Sequence, residues 1–315
     1  MLNIIGKRKI YYIISGIAIG ASIIALVLWQ LELGIDFKGG SNLELIYTQG
    51  TRPNSEEIMR ILKPLNLGAF KISPVGDKEF LLTIVQSDEK THQDIIATLT
   101  EAAQKNMSQI EERRFSSVGP TIGAELKRKA IMAIVVVLLC ISLYIAWAFR
   151  RVSGLTRLHA HTGGVGMNSW RYGVVTLVAL FHDVAIPLGL FSYLGYFYGI
   201  EIDSNFIVAL LVVLGFSVHD TIVVFDRLRE NLRLYVHLSF EEVVNRSVNE
   251  TLTRSINTSL TVLLTLFALY FFGGQTLKYF ILTLSVGIFA GTYSSIFIAS
   301  PILVSWQKWL TKIRA

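Results

Sequence analysis

The chain is poor in charge and in cysteine, and each scarcity narrows what it can be. Asp, Glu, Lys and Arg make up 17% of its 315 residues, against roughly 25% in a soluble domain. The missing charge leaves long apolar runs, with Lys and Arg gathered at their ends. A net charge of +6 would suit a nucleic-acid partner, but this distribution argues against one. The lone cysteine, Cys140, lies inside an apolar run, so no disulfide framework or cysteine-based zinc site is available. No short repeat and no low-complexity tract is visible.

What remains is 52% hydrophobic, with a mean hydropathy of +0.52. Six runs reach the roughly 20 residues needed to cross about 30 Å of hydrocarbon: 10–31, 130–149, 172–198, 205–225, 255–272 and 278–306. The first follows Lys7, Arg8 and Lys9 and imitates a signal peptide. Its length exceeds a signal core of roughly 7–15 residues, so it reads as a retained helix. Basic residues also cluster between spans two and three (Arg150, Arg151, Arg157, Arg171), between spans four and five (Arg227, Arg229, Arg233, Arg246, Arg254), and after span six (Lys308, Lys312, Arg314). The turn between spans three and four carries Glu201 and Asp203 and no Lys or Arg. The positive-inside rule then places both termini of this multi-pass plasma (inner) membrane protein in the cytoplasm.

Residues 1–31 thus comprise a basic N-terminus and span one. Residues 32–128 form an extracytoplasmic domain. Residues 129–315 carry the other five spans, with cytoplasmic loops at 150–171 and 226–254. Within the domain, 42–47 alternates like a half-buried strand. A helix is expected over 54–63, strands over 69–73 and 79–85, a second helix over 92–104 and a last strand over 109–118. The order β-α-β-β-α-β points to a ferredoxin-like α+β domain. Ser239, with Glu242 three residues on, reads as the cap of a surface helix over 239–248. Gly16 and Gly20 in span one, and Gly287, Gly291 and Ser295 in span six, form small-residue faces expected to pack inside the bundle.

The chemistry lies where charge interrupts the apolar runs. Span three holds His182-Asp183, span four His219-Asp220, and span five opens at Arg254. A charge at this depth costs roughly 2.5–3.5 kcal/mol even on lenient scales, and usually faces a bundle interior or wet cavity. Asp220 and Arg254 fall at similar depth on the same side. Asp183 lies about 16 Å into its span by helical rise. A carboxylate whose guanidinium partner comes and goes takes up a proton in one state and releases it in another. The competing account is a static ion pair that fixes helix register. For His182 and His219, a hydrogen-bonded structural role competes with a proton relay. Asp220, Val223, Val224 and Arg227 share one helix face, and Asp226-Arg227-Leu228-Arg229-Glu230-Asn231 then leaves the membrane.

Six motifs in order resemble the SecD/SecF family of protein-export membrane proteins, over nearly the whole chain. They are Gly34-Ile35-Asp36-Phe37-Lys38-Gly39-Gly40 after span one and Val118-Gly119-Pro120-Thr121-Ile122-Gly123 before span two. Ala179-Leu180-Phe181-His182-Asp183 follows in span three, and Gly215-Phe216-Ser217-Val218-His219-Asp220-Thr221 in span four, continuing through Asp226-Arg227 to Asn231. Thr253-Arg254-Ser255-Ile256-Asn257-Thr258-Ser259 opens span five, and Tyr270-Phe271-Phe272-Gly273-Gly274 closes it. The resemblance implies half of a resistance-nodulation-division (RND) bundle that pairs with SecD. Together they would use the proton-motive force to promote late steps of preprotein passage through the SecYEG channel. It implies that Asp220 and Arg254 take part in proton movement, with Asp183 a further candidate and Asn257 beside them. The implied partners are SecD, SecYEG, the preprotein, protons and membrane lipid. No enzymatic reaction, metal or cofactor is implied.

Two departures stand out. The position of His219 is usually Asn in this family, and a titratable imidazole beside Asp220 is expected to affect the pH dependence of the site. Residues 152–170 form an insertion with His159 and His161, too few ligands for a metal site. Asp36, Gly39 and Gly40 have a structural reading as well, a tight turn that places the domain. The main alternative is an RND-type proton-driven exporter of lipids or small molecules, which usually carries twelve spans in one chain. An intramembrane aspartyl protease fits poorly, because no paired Tyr-Asp and Gly-x-Gly-Asp arrangement is present.

Overall fold

The computed structural model describes residues 1–85, 89–150, 168–274 and 277–314. The insertion with His159 and His161 lies outside the described residues, apart from 168–170. The chain divides into a helical unit (1–32, 132–200 and 205–315) and a smaller unit (33–131 with 201–204).

The smaller unit carries a four-stranded antiparallel sheet. Strand β1 (Gly40–Gln49) pairs on one side with β3 (Glu79–Ile84) and on the other with β4 (Gln109–Val118), and β2 (Phe70–Val75) lies outside β3. After the short helix α2 (Ile35–Lys38), which precedes β1, helices α3 (Ser55–Leu62) and α4 (Glu89–Lys105) complete the β-α-β-β-α-β order. The strand order β2-β3-β1-β4 is that of a ferredoxin-like fold, as the element order implied. Leu43, Leu45 and Tyr47 alternate onto one face of β1 and join Phe80, Leu82 and Ile84 of β3 beneath Ile58, Leu62, Ile95 and Leu99. The Asn54 side chain caps α3 by accepting from the Glu57 N–H at 2.8 Å. Strand β2 extends through Pro74, beyond the expected end at Ser73, because an edge strand tolerates a missing donor.

Helices α1 (Arg8–Trp29), α5 (Pro120–Ala148), α6 (Trp170–Tyr198), α7 (Ser204–Leu234) and α8 (Phe240–Phe272) are each long and apolar enough to cross a membrane. The sixth is continuous from α9 (Lys278–Ser294) through a π-helical turn (Ser295–Ala299) into α10 (Ser300–Arg314). Helices α6, α7 and α9 are the most buried, whereas α1, α5 and α8 expose most of their apolar surface. The helix expected over 239–248 is not a separate element. Its cap forms, with Glu242 N–H donating to Ser239 Oγ and Ser239 N–H to Glu242 Oε2, but the helix runs on into span five. Asn249-Glu250-Thr251-Leu252-Thr253-Arg254 contains no Gly or Pro to stop it.

The two small-residue faces behave differently. A Cβ on Gly287 would meet the Val213 side chain at 2.3 Å, and one on Gly291 would meet Ser217 Cβ at 2.8 Å. Span six therefore packs its glycines onto span four. Gly16 and Gly20 have no atom within 4 Å of where a Cβ would stand. Their expected internal packing does not form, because α1 turns Ser15, Ser22 and Ala25 inward instead. Ser22 meets Gly189 of α6, where an added Cβ would come within 2.4 Å.

Candidate functional site

Two buried aspartates define the polar interior of the bundle. Asp183 is 0% exposed and sits midway along α6. Its Oδ1 lies 2.9 Å from His182 Nδ1. Its Oδ2 accepts from Ser217 Oγ of α7 at 2.5 Å and from Ser294 Oγ of α9 at 2.8 Å. Both oxygens are thus engaged, and three helices meet on one carboxylate. His182 is 2% exposed and stacks on Tyr293, whose hydroxyl donates to the Tyr11 carbonyl of α1.

Asp220 lies one helical turn beyond Ser217 on α7 and is 2% exposed. Ser259 of α8 and Thr292 of α9 are its hydroxyl neighbours, and these two hydroxyls lie 2.5 Å apart. Asp220 Oδ2 has no hydrogen-bond partner among the described residues. A buried polar atom without a partner carries a desolvation cost. His219, the preceding residue, is exposed.

Arg254 does not pair with Asp220. It is exposed on α8, as is Asn257, and among the described residues no ion pair or hydrogen bond to Arg254 is formed. The helix turns Ser255 and Ser259 toward the interior, which puts Arg254 on an outward face. Asp226 and Arg227 also stand apart from Asp220. Arg227 bonds Glu250 at 2.7 Å and Glu230 at 2.6 Å, and Arg229 bonds Asp226. Glu250 further accepts from Asn231 and Arg246. This network ties the end of α7 to the start of α8.

The signature after span one has a concrete structural role. Asp36 Oδ2 accepts from both the N–H and the hydroxyl of Ser204, the first residue of α7. Gly39 has φ +81° and ψ 162°, and a Cβ there would stand 2.8 Å from Pro120 Cα. A Cβ on Gly123 would meet Gly39 N at 3.0 Å. The motif after span one and the motif before span two are therefore two sides of one tight backbone crossing.

Ser217, Ser259, Thr292 and Ser294 were not anticipated as site residues. Two signals in the sequence bear on them. Ser217 precedes Asp220 by three residues, hence on the same face, and Thr292 directly follows Gly291 while Ser294 directly precedes Ser295, both members of the small-residue face of span six.

Residues 98–162 and 167–309 match the model of the family described as protein export membrane protein SecD/SecF, C-terminal. A protein translocase subunit SecF from Anaerolinea thermophila is 40% identical over 98% of this chain and 94% of its own length. One from Thermobaculum terrenum is 41% identical over 98% and 94%. The crystal structure of SecDF from Thermus thermophilus superposes with a TM-score of 0.80 at 33% identity, covering 98% of this chain and 39% of that one. The chain belongs to the SecD/SecF family of protein-export membrane proteins.

Proposed function

We propose that this chain is an accessory subunit of the Sec protein translocase which, with SecD, uses the proton-motive force to promote late steps of preprotein translocation. Asp220 is the group that takes up and releases the proton. The observation that carries this is its position: buried at the meeting of α7, α8 and α9, with one carboxylate oxygen unengaged. Arg254 is the counter-charge on α8, and Asp183 belongs to the same polar interior. Pairing with SecD is supported by the Thermus thermophilus SecDF, in which sequence like this chain makes up 37% of a longer protein. The SecYEG channel, the emerging preprotein and membrane lipid are its other partners. The basic loops and both termini lie in the cytoplasm, and the ferredoxin-like domain acts on the outer side of the inner membrane.

The test is preprotein export in cells depleted of their own SecF and supplied with Asp220→Asn. Pulse-labelled precursor is followed for signal-peptide removal, and membrane insertion of the variant is verified. Precursor should accumulate as it does without the protein, a slowing of about tenfold or more. Export at the native rate by a correctly inserted variant would refute the role of Asp220. In the same assay run across pH, His219→Asn should displace the pH profile.

A further inference from the structure

Residues 2–8, just ahead of span one, are held along the start of α8. Asn245 Oδ1 accepts from the N–H groups of Ile4 and Ile5 at 2.9 and 3.1 Å, and Asn245 Nδ2 donates to the Leu2 carbonyl at 3.1 Å. Asn249 Oδ1 accepts from the Leu2 N–H at 2.8 Å. Its two amide hydrogens serve the Leu2 carbonyl at 2.9 Å and the Asn245 carbonyl at 2.8 Å. Ile4 and Ile5 are 3% and 0% exposed, and Ile5–Lys7 is a 3-10 turn that leads into α1. Glu241, near the start of α8, takes Arg8 of α1 at 2.7 Å and Lys308 of α10 at 2.5 Å. The beginnings of spans one and five and the end of span six are thereby joined.

The choice of asparagine suits this task. Its side chain offers both an acceptor and two donors, so it can hold the N–H and C=O groups of a passing backbone whatever the side chains there. Asparagine is otherwise unfavourable inside a helix, because it competes for the helix's own backbone bonds. Asn245 and Asn249 are four apart, hence on one face of α8. That face needs an anchor. Six of the nine buried residues of α8 lie between Phe240 and Thr251, and beyond them only Ser255, Ser259 and Leu266 are buried. The helix is thus fixed chiefly at its polar start, and it runs without a break through Arg254 and Ser259. By helical rise these lie about 8 Å and 15 Å beyond Asn249.

We infer that residues 2–8 are a strap that sets the position of span five, with Asn245 and Asn249 as the positioning residues that grip it. Holding one face of α8 fixes both its depth and its rotation. The unbroken helix carries that placement to Arg254, and to Ser259, whose hydroxyl lies 2.5 Å from that of Thr292 on α9. The inference goes beyond the proposed function: it concerns where span five lies, whichever group carries the proton.

The test uses the full chain with Cys140→Ser, co-expressed with SecD in membrane vesicles. Ile4→Cys reports the strap through its alkylation rate by a small maleimide. In a second strain, Ser259→Cys with Thr292→Cys reports span five through the rate at which the pair closes a disulfide under mild oxidant. In Asn245→Ala/Asn249→Ala, alkylation should quicken about tenfold as the protected position opens. Disulfide closure should slow about tenfold, because a reaction driven by proximity tolerates little misplacement, and export without the reporters should fall. Alanine is the better helix former, so α8 itself is not weakened. Ile5→Asp, which expels the strap from its own side, should slow closure equally. If the cysteine pair fails to insert, alkylation of Ser259→Cys alone, a position 3% exposed, gives the same reading. Closure, or Ser259→Cys protection, that stays native once Ile4→Cys has become reactive would overturn the inference. So would an Ile4→Cys that stays protected in the double alanine variant. Native export in Asp220→Asn defeats the proposed function and leaves the reading of span five untouched.

Discussion

Asp183 and Asp220 are chemically identical and differ in how their oxygens are occupied. Asp183 is met by His182, Ser217 and Ser294, so an amide in its place would set an NH2 group against one of them and force it to accept instead of donate. Asp220 has one unengaged oxygen, so Asp220→Asn meets no such conflict. Asp183→Asn should therefore destabilise the protein by about 1–3 kcal/mol, the usual cost of stranding a buried polar group, and Asp220→Asn by much less. Thermal unfolding in detergent distinguishes the two, and equal losses would show that Asp220 is as firmly held as Asp183. Both aspartates were legible in the sequence because a charge inside an apolar run is conspicuous. Their hydroxyl neighbours were not. Serine and threonine are common in membrane helices and often bond their own carbonyl one turn back, as Thr283 and Ser285 do here. Only the packing of α7, α8 and α9 separates Ser217, Ser259, Thr292 and Ser294 from such residues.

At the scale of elements, apolar run length and turn chemistry made the six spans and the β-α-β-β-α-β order readable. The ends of the helices were less readable, because hydropathy reports where lipid stops and not where a helix stops. Helix α7 continues to Leu234 and α8 starts at Phe240, well beyond their apolar stretches, since no Gly or Pro interrupts the polar turns. The pairing of the two junction motifs was also hidden, because they are some eighty residues apart in the chain. Gly39 is the residue that makes this crossing possible. Its φ of +81° with ψ 162° is a region essentially reserved for glycine, and Pro120 occupies the space a Cβ would need. Gly39→Ala should cost about 1–3 kcal/mol in backbone strain alone, with further loss from the clash. Protease resistance of residues 33–131 in the intact chain provides the measurement. Gly68→Ala is the control: Gly68 also has positive φ, at +71°, but nothing stands within 4 Å of an added Cβ. A crossing as sensitive as Gly39 implies should yield to protease before the control does, and equal resistance would mean that the backbone there relaxes freely.

For the molecule as a whole, the distribution of burial shows which surfaces await something. Helices α6, α7 and α9 are enclosed by the chain itself, while α5 and α8 turn long rows of apolar side chains outward, among them Leu139 and Leu143, and Leu260 and Leu264. Lipid can cover such rows. It cannot cover Arg254, which stands exposed on α8 just ahead of Ile256 and Leu260, where a guanidinium costs roughly 2.5–3.5 kcal/mol toward the membrane centre. Lys would not substitute, because its compact ammonium lacks the planar fork that meets a carboxylate through two parallel bonds. If the other half of the transporter covers this face, Arg254 gains a partner there, and its removal should loosen the assembly as well as stop the cycle. Arg254→Lys and Arg254→Leu should then both reduce the SecD recovered with the tagged chain from detergent extracts. Asp220→Asn, whose side chain is enclosed by this chain's own helices, should leave recovery unchanged while abolishing export. Full recovery of SecD with Arg254→Leu would mean that the outward face of α8 is not where the two halves meet, and that Arg254 reaches Asp220 only after a rearrangement within this chain.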